Sequence, residues 1–177
     1  MLLEFKTKNY KSFVEEASFS MVAAPKQKGL DYSLMKTKIK GKEIKGLSSS
    51  VIYGPNAAGK TNIIGAMDVL RSIVLRGNIR NSEEKSSPNP AASALELIPN
   101  NNESEAKPVC FEIEFYEEDG EEHKFKIHYE LQIDLGTFLE EEYQRKILAE
   151  VLEVNGERVF ERREGLKVEN LKVIKDY

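Results

Sequence analysis

The chain has 177 residues, 26 Lys+Arg against 30 Asp+Glu, and is 40% hydrophobic and 8% aromatic. That size suits one domain with a real core, and the balance excludes a collagen-like or wholly disordered chain. A single cysteine, Cys110, excludes an intramolecular disulfide framework and any Cys-rich zinc site. His123 and His128 are five apart, which on a strand points them to opposite faces, so no structural metal is expected. The net charge of −4 argues against general nucleic-acid binding, but residues 1–46 hold ten lysines and five acids, leaving −9 on the remainder. That lysine excess reads as a solvated face, or else as attraction for phosphate.

Residues 2–8 alternate apolar and polar positions and predict a strand. Ala17 to Ala23 predicts a second, with Phe19 and Met21 on one face. Residues 25–46 read as a weak connector holding at most a short strand at 34–40. Ser48 to Tyr53 predicts a short strand running straight into Gly54. Asn62 to Leu75 predicts a helix with Ile63, Ile64, Met67, Leu70 and Val74 as its buried stripe, stopped by Gly77-Asn78. Residues 77–107, rich in Ser, Asn, Pro and Glu, read as a long loop in which Leu95, Leu97 and Ile98 dock one short segment.

After Pro108 the period becomes two. Val109 to Tyr116 and Lys124 to Ile133 predict a hairpin with an acidic tip. Ile147 to Val154 and Val159 to Arg163 predict another, turned at Asn155-Gly156. The seven acids between Glu112 and Glu122 read as a solvated strand face and tip that discourage edge pairing, not as a metal site. No apolar run reaches membrane-spanning length and the N-terminus lacks a signal-peptide core, so no membrane is expected and cytoplasm is the expected address.

The segment that carries chemistry is Gly54-Pro55-Asn56-Ala57-Ala58-Gly59-Lys60-Thr61, which fits G-x-x-x-x-G-K-[ST]. Gly54 and Gly59 are expected to allow backbone angles that let main-chain N–H groups close around phosphate oxygens. The helix that follows adds positive potential at its start. Lys60 would place its ammonium near the β and γ phosphates, and the Thr61 hydroxyl would ligate Mg²⁺. Mg·ATP is the implied ligand. Asn62 either caps the helix or sits beside phosphate.

About fifty strand-like residues precede this loop, unlike a small-molecule kinase, and neither an Arg-rich lid nor an acceptor pocket is evident. Leu3 to Phe13 ahead of Ile52-Tyr-Gly-Pro-Asn-Ala-Ala-Gly-Lys-Thr-Asn62 resembles the ABC-type ATPases of the SMC and RecF group, whose loop reads Gly-Pro-Asn-Gly-x-Gly-Lys. Phe19 to Ala23, Pro108 to Phe115 and Ile147 to Leu152 narrow the resemblance to the abortive-infection and OLD-like bacterial AAA/ABC-type ATPases.

The resemblance implies an α/β P-loop lobe with flanking antiparallel hairpins. Residues 1–76 would hold the N-terminal β region, P-loop and helix, 77–107 a flexible loop, and 108–177 an antiparallel region of the same lobe. It implies nucleotide contact at Lys11 and Ser12, whose alternative is a solvated Lys and a turn-forming Ser. It implies ATP hydrolysis between two heads, and a nuclease, toxin or DNA as a typical associate. A signature motif and a Walker B strand ending in Asp-Glu are not recognisable. Leu47 to Ser50 stands on the wrong side of the loop, and Leu131-Gln-Ile-Asp134 is followed by Leu135. Gln132 and Gln144 cannot be assigned a role by spacing. The chain is therefore expected to be the N-terminal lobe of a longer or split ATPase, its catalytic residues unassigned, completed by a second head or a C-terminal half. The alternative is a non-hydrolysing interaction fragment that pairs with another ATPase chain.

Overall fold

The computed structural model describes residues 1–25, 29, 31–39, 41–80, 95–101, 106–118, 123–138, 140 and 143–174. Nine strands and one α-helix form among them, in the order β1 (Leu2–Lys8), β2 (Ala17–Ser20), β3 (Leu34–Ile39), β4 (Lys42–Leu47), α1 (Lys60–Arg76), β5 (Val109–Glu118), β6 (Lys124–Asp134), β7 (Lys146–Val154), β8 (Glu157–Arg162) and β9 (Leu166–Val168). Seven strands make one antiparallel sheet in the order β2-β1-β5-β6-β7-β8-β9, and β3-β4 is a separate hairpin.

Alternation decides the centre of the sheet. Phe5 faces Ile113 and Thr7 faces Phe111, which in turn faces Leu131. These side chains meet α1 in the core, where Phe111 lies 6.5 Å from Phe5 and edge-on to Tyr10 at 5.7 Å. Each fully buried large apolar side chain there contributes about 1.5–3 kcal/mol. The opposite face carries ion pairs: Lys6 Nζ to Glu112 at 2.9 Å and Lys126 Nζ to Glu114 at 2.8 Å. Lys124 approaches Glu118 at 3.6 Å. The described part of the acidic run is thus a solvated face with lysine partners; residues 119–122 lie outside the described residues. Among the described residues, no group of three or more His, Cys, Asp or Glu is placed to hold a metal ion. Likewise, no helix is long and apolar enough to cross a membrane.

Both predicted hairpins form. The second turns on Asn155 and Gly156, both left-handed at φ 54° and 80°, as the strand twist demands. The helix also forms and stops at Gly77, whose φ of 66° lets its N–H reach the Ile73 carbonyl.

Four expectations are corrected. The buried stripe of α1 is Ile63, Ala66, Val69, Leu70 and Ile73. Ile64 and Val74 are 51% and 57% exposed, because an arc centred near Ala66 and Ile73 faces the sheet. The connector contains a complete hairpin: β4 was hidden by its lysines, which face solvent across the Gly41 turn. The second strand is shorter than the predicted 17–23, ending at Ser20; Met21 N–H still donates to Leu3 O, but the Met21 carbonyl accepts from Leu47 N–H and Ala23 N–H donates to Lys45 O, so the chain passes over to β4. Finally, Ser48 to Tyr53 is not a strand. Ser48 donates to Ser33, but residues 49–53 make no backbone hydrogen bond among the described residues, and Val51 and Tyr53 are 82% and 90% exposed. Among the described residues no strand pairs with them, so the expected central strand is not formed.

Within the predicted loop, 81–94 and 102–105 lie outside the described residues. Leu95 and Leu97 are buried in the core, and Pro99 bridges to Tyr10; Ile98 is more exposed than expected.

Candidate functional site

The loop 54–59 delivers the chain from the exposed 49–53 segment to the start of α1. Gly59 is the N-cap residue, with φ 83° and ψ 7°. A methyl group there would stand 2.9 Å from Phe13 Cε1 and 3.3 Å from Ser12 Oγ. Only glycine satisfies both the angle and the contact. Gly54 differs: its φ is not left-handed, and a methyl group would meet only Ala58 Cβ at an ordinary 3.7 Å. The conformational need expected of both glycines therefore falls on Gly59 alone. Ala57 takes the other left-handed position, at φ 63°, where the resembling loops carry Gly.

The chemistry of the loop is its free donors. Ala58 N–H donates to Pro55 O at 3.3 Å, and Asn62 and Ile63 N–H donate to Gly59 O at 2.9 and 3.1 Å. Among the described residues, the amides of Asn56, Ala57, Gly59, Lys60 and Thr61 have no acceptor. They gather at a helix N-terminus that has no side-chain cap, where the helix dipole favours an anion. Lys60 Nζ folds back on the loop, donating to Gly54 O at 2.8 Å and Pro55 O at 2.7 Å. Thr61 is exposed at the first turn.

The turn after β1 reaches the same place. Asn9 and Lys11 are both left-handed, at φ 53° and 48°, and this folds Tyr10–Phe13 back toward the helix. Asn62 Nδ2 donates to Ser12 Oγ at 2.7 Å. Asn62 therefore ties α1 to this turn rather than capping the helix, which corrects the capping alternative. Lys11 is no freely solvated lysine. Its ammonium lies 5.5 Å from the Tyr10 ring centre, near Gly65 of α1, and donates to Glu96 Oε2 at 2.5 Å. Burial pulls the Lys11 ammonium down, but Glu96 and the Tyr10 hydroxyl outweigh it and hold it above the ordinary lysine value.

The structure thus brings Lys11, Ser12 and Asn62 to the flank of residues 54–61. Two contributors were not foreseen: Phe13, which packs on Gly59, and Glu96, which holds Lys11. Glu96 is 85 residues from its partner, and no local pattern marks it. Asp134, the weak Walker B candidate, serves its own turn: Oδ2 accepts from Tyr143 OH at 2.5 Å and Oδ1 from Gly136 N–H at 3.0 Å. It is an ordinary strand end.

A cradle of unpaired amides at a helix start, with Lys and Thr in its first turn, belongs to the P-loop class of nucleotide-binding domains. Residues 49–170 match the family model described as "AAA domain, putative AbiEii toxin, Type IV TA system". That match covers more than half of the chain, and the chain belongs to this AAA-domain family. It begins inside the exposed segment before the P-loop, so β1 to β4 lie outside it. No curated protein and no solved structure gives a significant match.

The residues present fit a nucleotide. The five free amides suit phosphate oxygens, the methyl-free Gly59 permits close approach, and Lys60 is within reach of the loop's own mouth. For Mg²⁺ the chain offers the Thr61 hydroxyl, a donor set that suits an ion held largely by phosphate and water.

Proposed function

We propose that this chain binds Mg·ATP through residues 54–61, with Lys11 and Ser12 at the flank, as the nucleotide-binding lobe of an ATPase. The observation that carries the reading is the set of amides, Asn56, Ala57, Gly59, Lys60 and Thr61, that have no acceptor among the described residues, at and just before the start of α1. On binding, these amides would take phosphate oxygens, and Lys60 would exchange two loop carbonyls for the β and γ phosphates. Thr61 would hold the Mg²⁺ ion, which supplies charge neutralisation when bound.

The lobe would resemble the ABC/SMC-type heads of abortive-infection and OLD-like ATPases. Hydrolysis in such heads requires a Walker B carboxylate pair and a signature motif, and neither is recognisable in this sequence. A second ATPase head or a C-terminal half would supply them. Phage defence or DNA-linked control, with a nuclease, toxin or DNA as associate, is the biological setting we propose, supported by the wording of the family description.

The test is calorimetric titration of Mg·ATP into the purified chain, with Lys60→Ala as control. Binding lost in the variant supports the reading. Equal affinity in both refutes it, while ATP turnover by the isolated chain at the 1–10³ s⁻¹ typical of complete enzymes refutes the need for a second head or C-terminal half.

A second reading has its own support. The unpaired backbone of 49–53, with Val51 and Tyr53 exposed, suits an interaction fragment that pairs with another ATPase chain without hydrolysing. A folded chain that does not bind Mg·ATP would favour it.

A further inference from the structure

The turn beside the P-loop is held in a way that the motif alone does not require. Lys11 N–H donates to Ile98 O at 3.0 Å, and Asn100 N–H to Asn9 O at 3.1 Å. Asn100 Nδ2 donates to Lys11 O at 2.6 Å, and the Asn100 side chain is buried to do so. Three bonds from one segment therefore fix the turn, two of them on the Lys11 backbone itself. Its side chain is left with one strong partner, the Glu96 carboxylate, on the same segment. Glu96 is itself well exposed, with 69% of its side chain in solvent, whereas Lys11 is largely covered.

The position of the ammonium matters. Ser12, the next residue, touches Gly59 at the helix start, yet Lys11 Nζ lies beside Gly65, six residues further along. Six residues of α-helix rise about 9 Å. A lysine ammonium on its four-carbon stem covers such an arc by side-chain rotation alone. Glu96 thus holds the ammonium at Gly65, while Ser12, the neighbour of Lys11, stands against Gly59 at the start of the helix.

We propose that Glu96 is a positioning residue that parks Lys11 away from the phosphate loop, and that nucleotide phosphate competes with this carboxylate for the Lys11 ammonium. The inference rests on the reading that residues 54–61 bind Mg·ATP, and adds a regulator to that site. Removing the carboxylate frees the lysine, so affinity rises. Anything that orders or screens Glu96 changes nucleotide affinity without touching the loop.

The experiment is a double-mutant cycle. Mg·ATP is titrated calorimetrically into the wild-type chain, Glu96→Gln, Lys11→Ala and the double variant, with Lys60→Ala as control and a urea unfolding curve for each. Exposed or partly exposed ion pairs are modest, so the expected gain for Glu96→Gln is about threefold to fivefold. The same substitution in the Lys11→Ala background has no effect, and Glu96→Gln keeps the wild-type urea midpoint. Binding by Glu96→Gln but not by wild type also supports the proposal. Unchanged or weakened binding in Glu96→Gln overturns it, while loss of binding in Lys60→Ala still upholds the P-loop reading. If neither wild type nor Glu96→Gln binds, that reading falls and the latch falls with it.

Discussion

Replacing Gly59 by alanine should destabilise the fold, not only the loop. The residue is left-handed at φ 83°, which costs a side-chain-bearing residue about 1–2 kcal/mol. The added methyl would also stand 2.9 and 3.1 Å from two atoms of the Phe13 ring. Phe13 packs against the main core and cannot retreat freely, so overpacking adds roughly 1–3 kcal/mol. Alanine stiffens the unfolded chain and returns about 0.5–1 kcal/mol. The net expectation is a loss of about 2–3 kcal/mol, or roughly 1 M in the urea midpoint for an m-value near 2 kcal/mol/M. Gly54→Ala is the internal control. Its methyl meets only Ala58 at 3.7 Å and its φ is not left-handed, so its folding cost should stay within about 0.5 kcal/mol. Urea unfolding followed by far-UV circular dichroism measures both. Equal midpoints for the two variants would refute the reasoning, because the left-handed angle and the contact with Phe13 set Gly59 apart from Gly54.

Two further outcomes are expected. Ala57→Gly should raise stability by about 0.5–1 kcal/mol, since relief of a left-handed alanine exceeds the entropy that glycine costs; a lower urea midpoint would show that position 57 is not left-handed. Tyr129 is half-buried and donates to Glu150 Oε1 at 2.8 Å, and burial, reinforced by that carboxylate, pushes its phenol far above the ordinary value. Its neutral form is the folded form, so this contribution is complete below pH 10 and is lost as pH rises beyond it, where only the unfolded chain ionises. Tyr129→Phe should therefore flatten the fall in stability between pH 10 and 11; unfolding curves at pH 8, 10 and 11 that drop as steeply as the wild type would contradict this.

What could be read from the chain divides along physical lines. Local signals held: the period-two run from Val109, the Asn155-Gly156 turn and the Gly77 stop each act through near neighbours in sequence. The P-loop was legible because each position answers to backbone geometry or phosphate chemistry. Long-range facts were hidden. Which arc of α1 faces the sheet depends on how the helix is docked, so Ile64 and Val74 looked as buried as Ile63. A strand needs a neighbour, and Val51-Ile52-Tyr53 has strand composition but pairs with no strand among the described residues. The Lys42–Leu47 strand failed the opposite test, its lysines masking a register set by the hairpin partner. Glu96 illustrates the limit: one acid in a polar stretch becomes part of the site only through a turn formed far away in the chain.

The place of β1 in the sheet also bears on how the molecule comes into being. The strand lies between β2 and β5, and its Lys6 bonds to a residue 106 positions later. During synthesis, the first strand and the whole P-loop segment leave the ribosome long before the surface that will cover them exists. At about 5–20 residues per second, Phe5 and the apolar arc of α1 wait several seconds without a core. The hairpins β5-β6 and β7-β8 close through nearby contacts and fold without delay. The topology therefore favours an order in which the later hairpins close first and α1 docks once β1 has paired with β5.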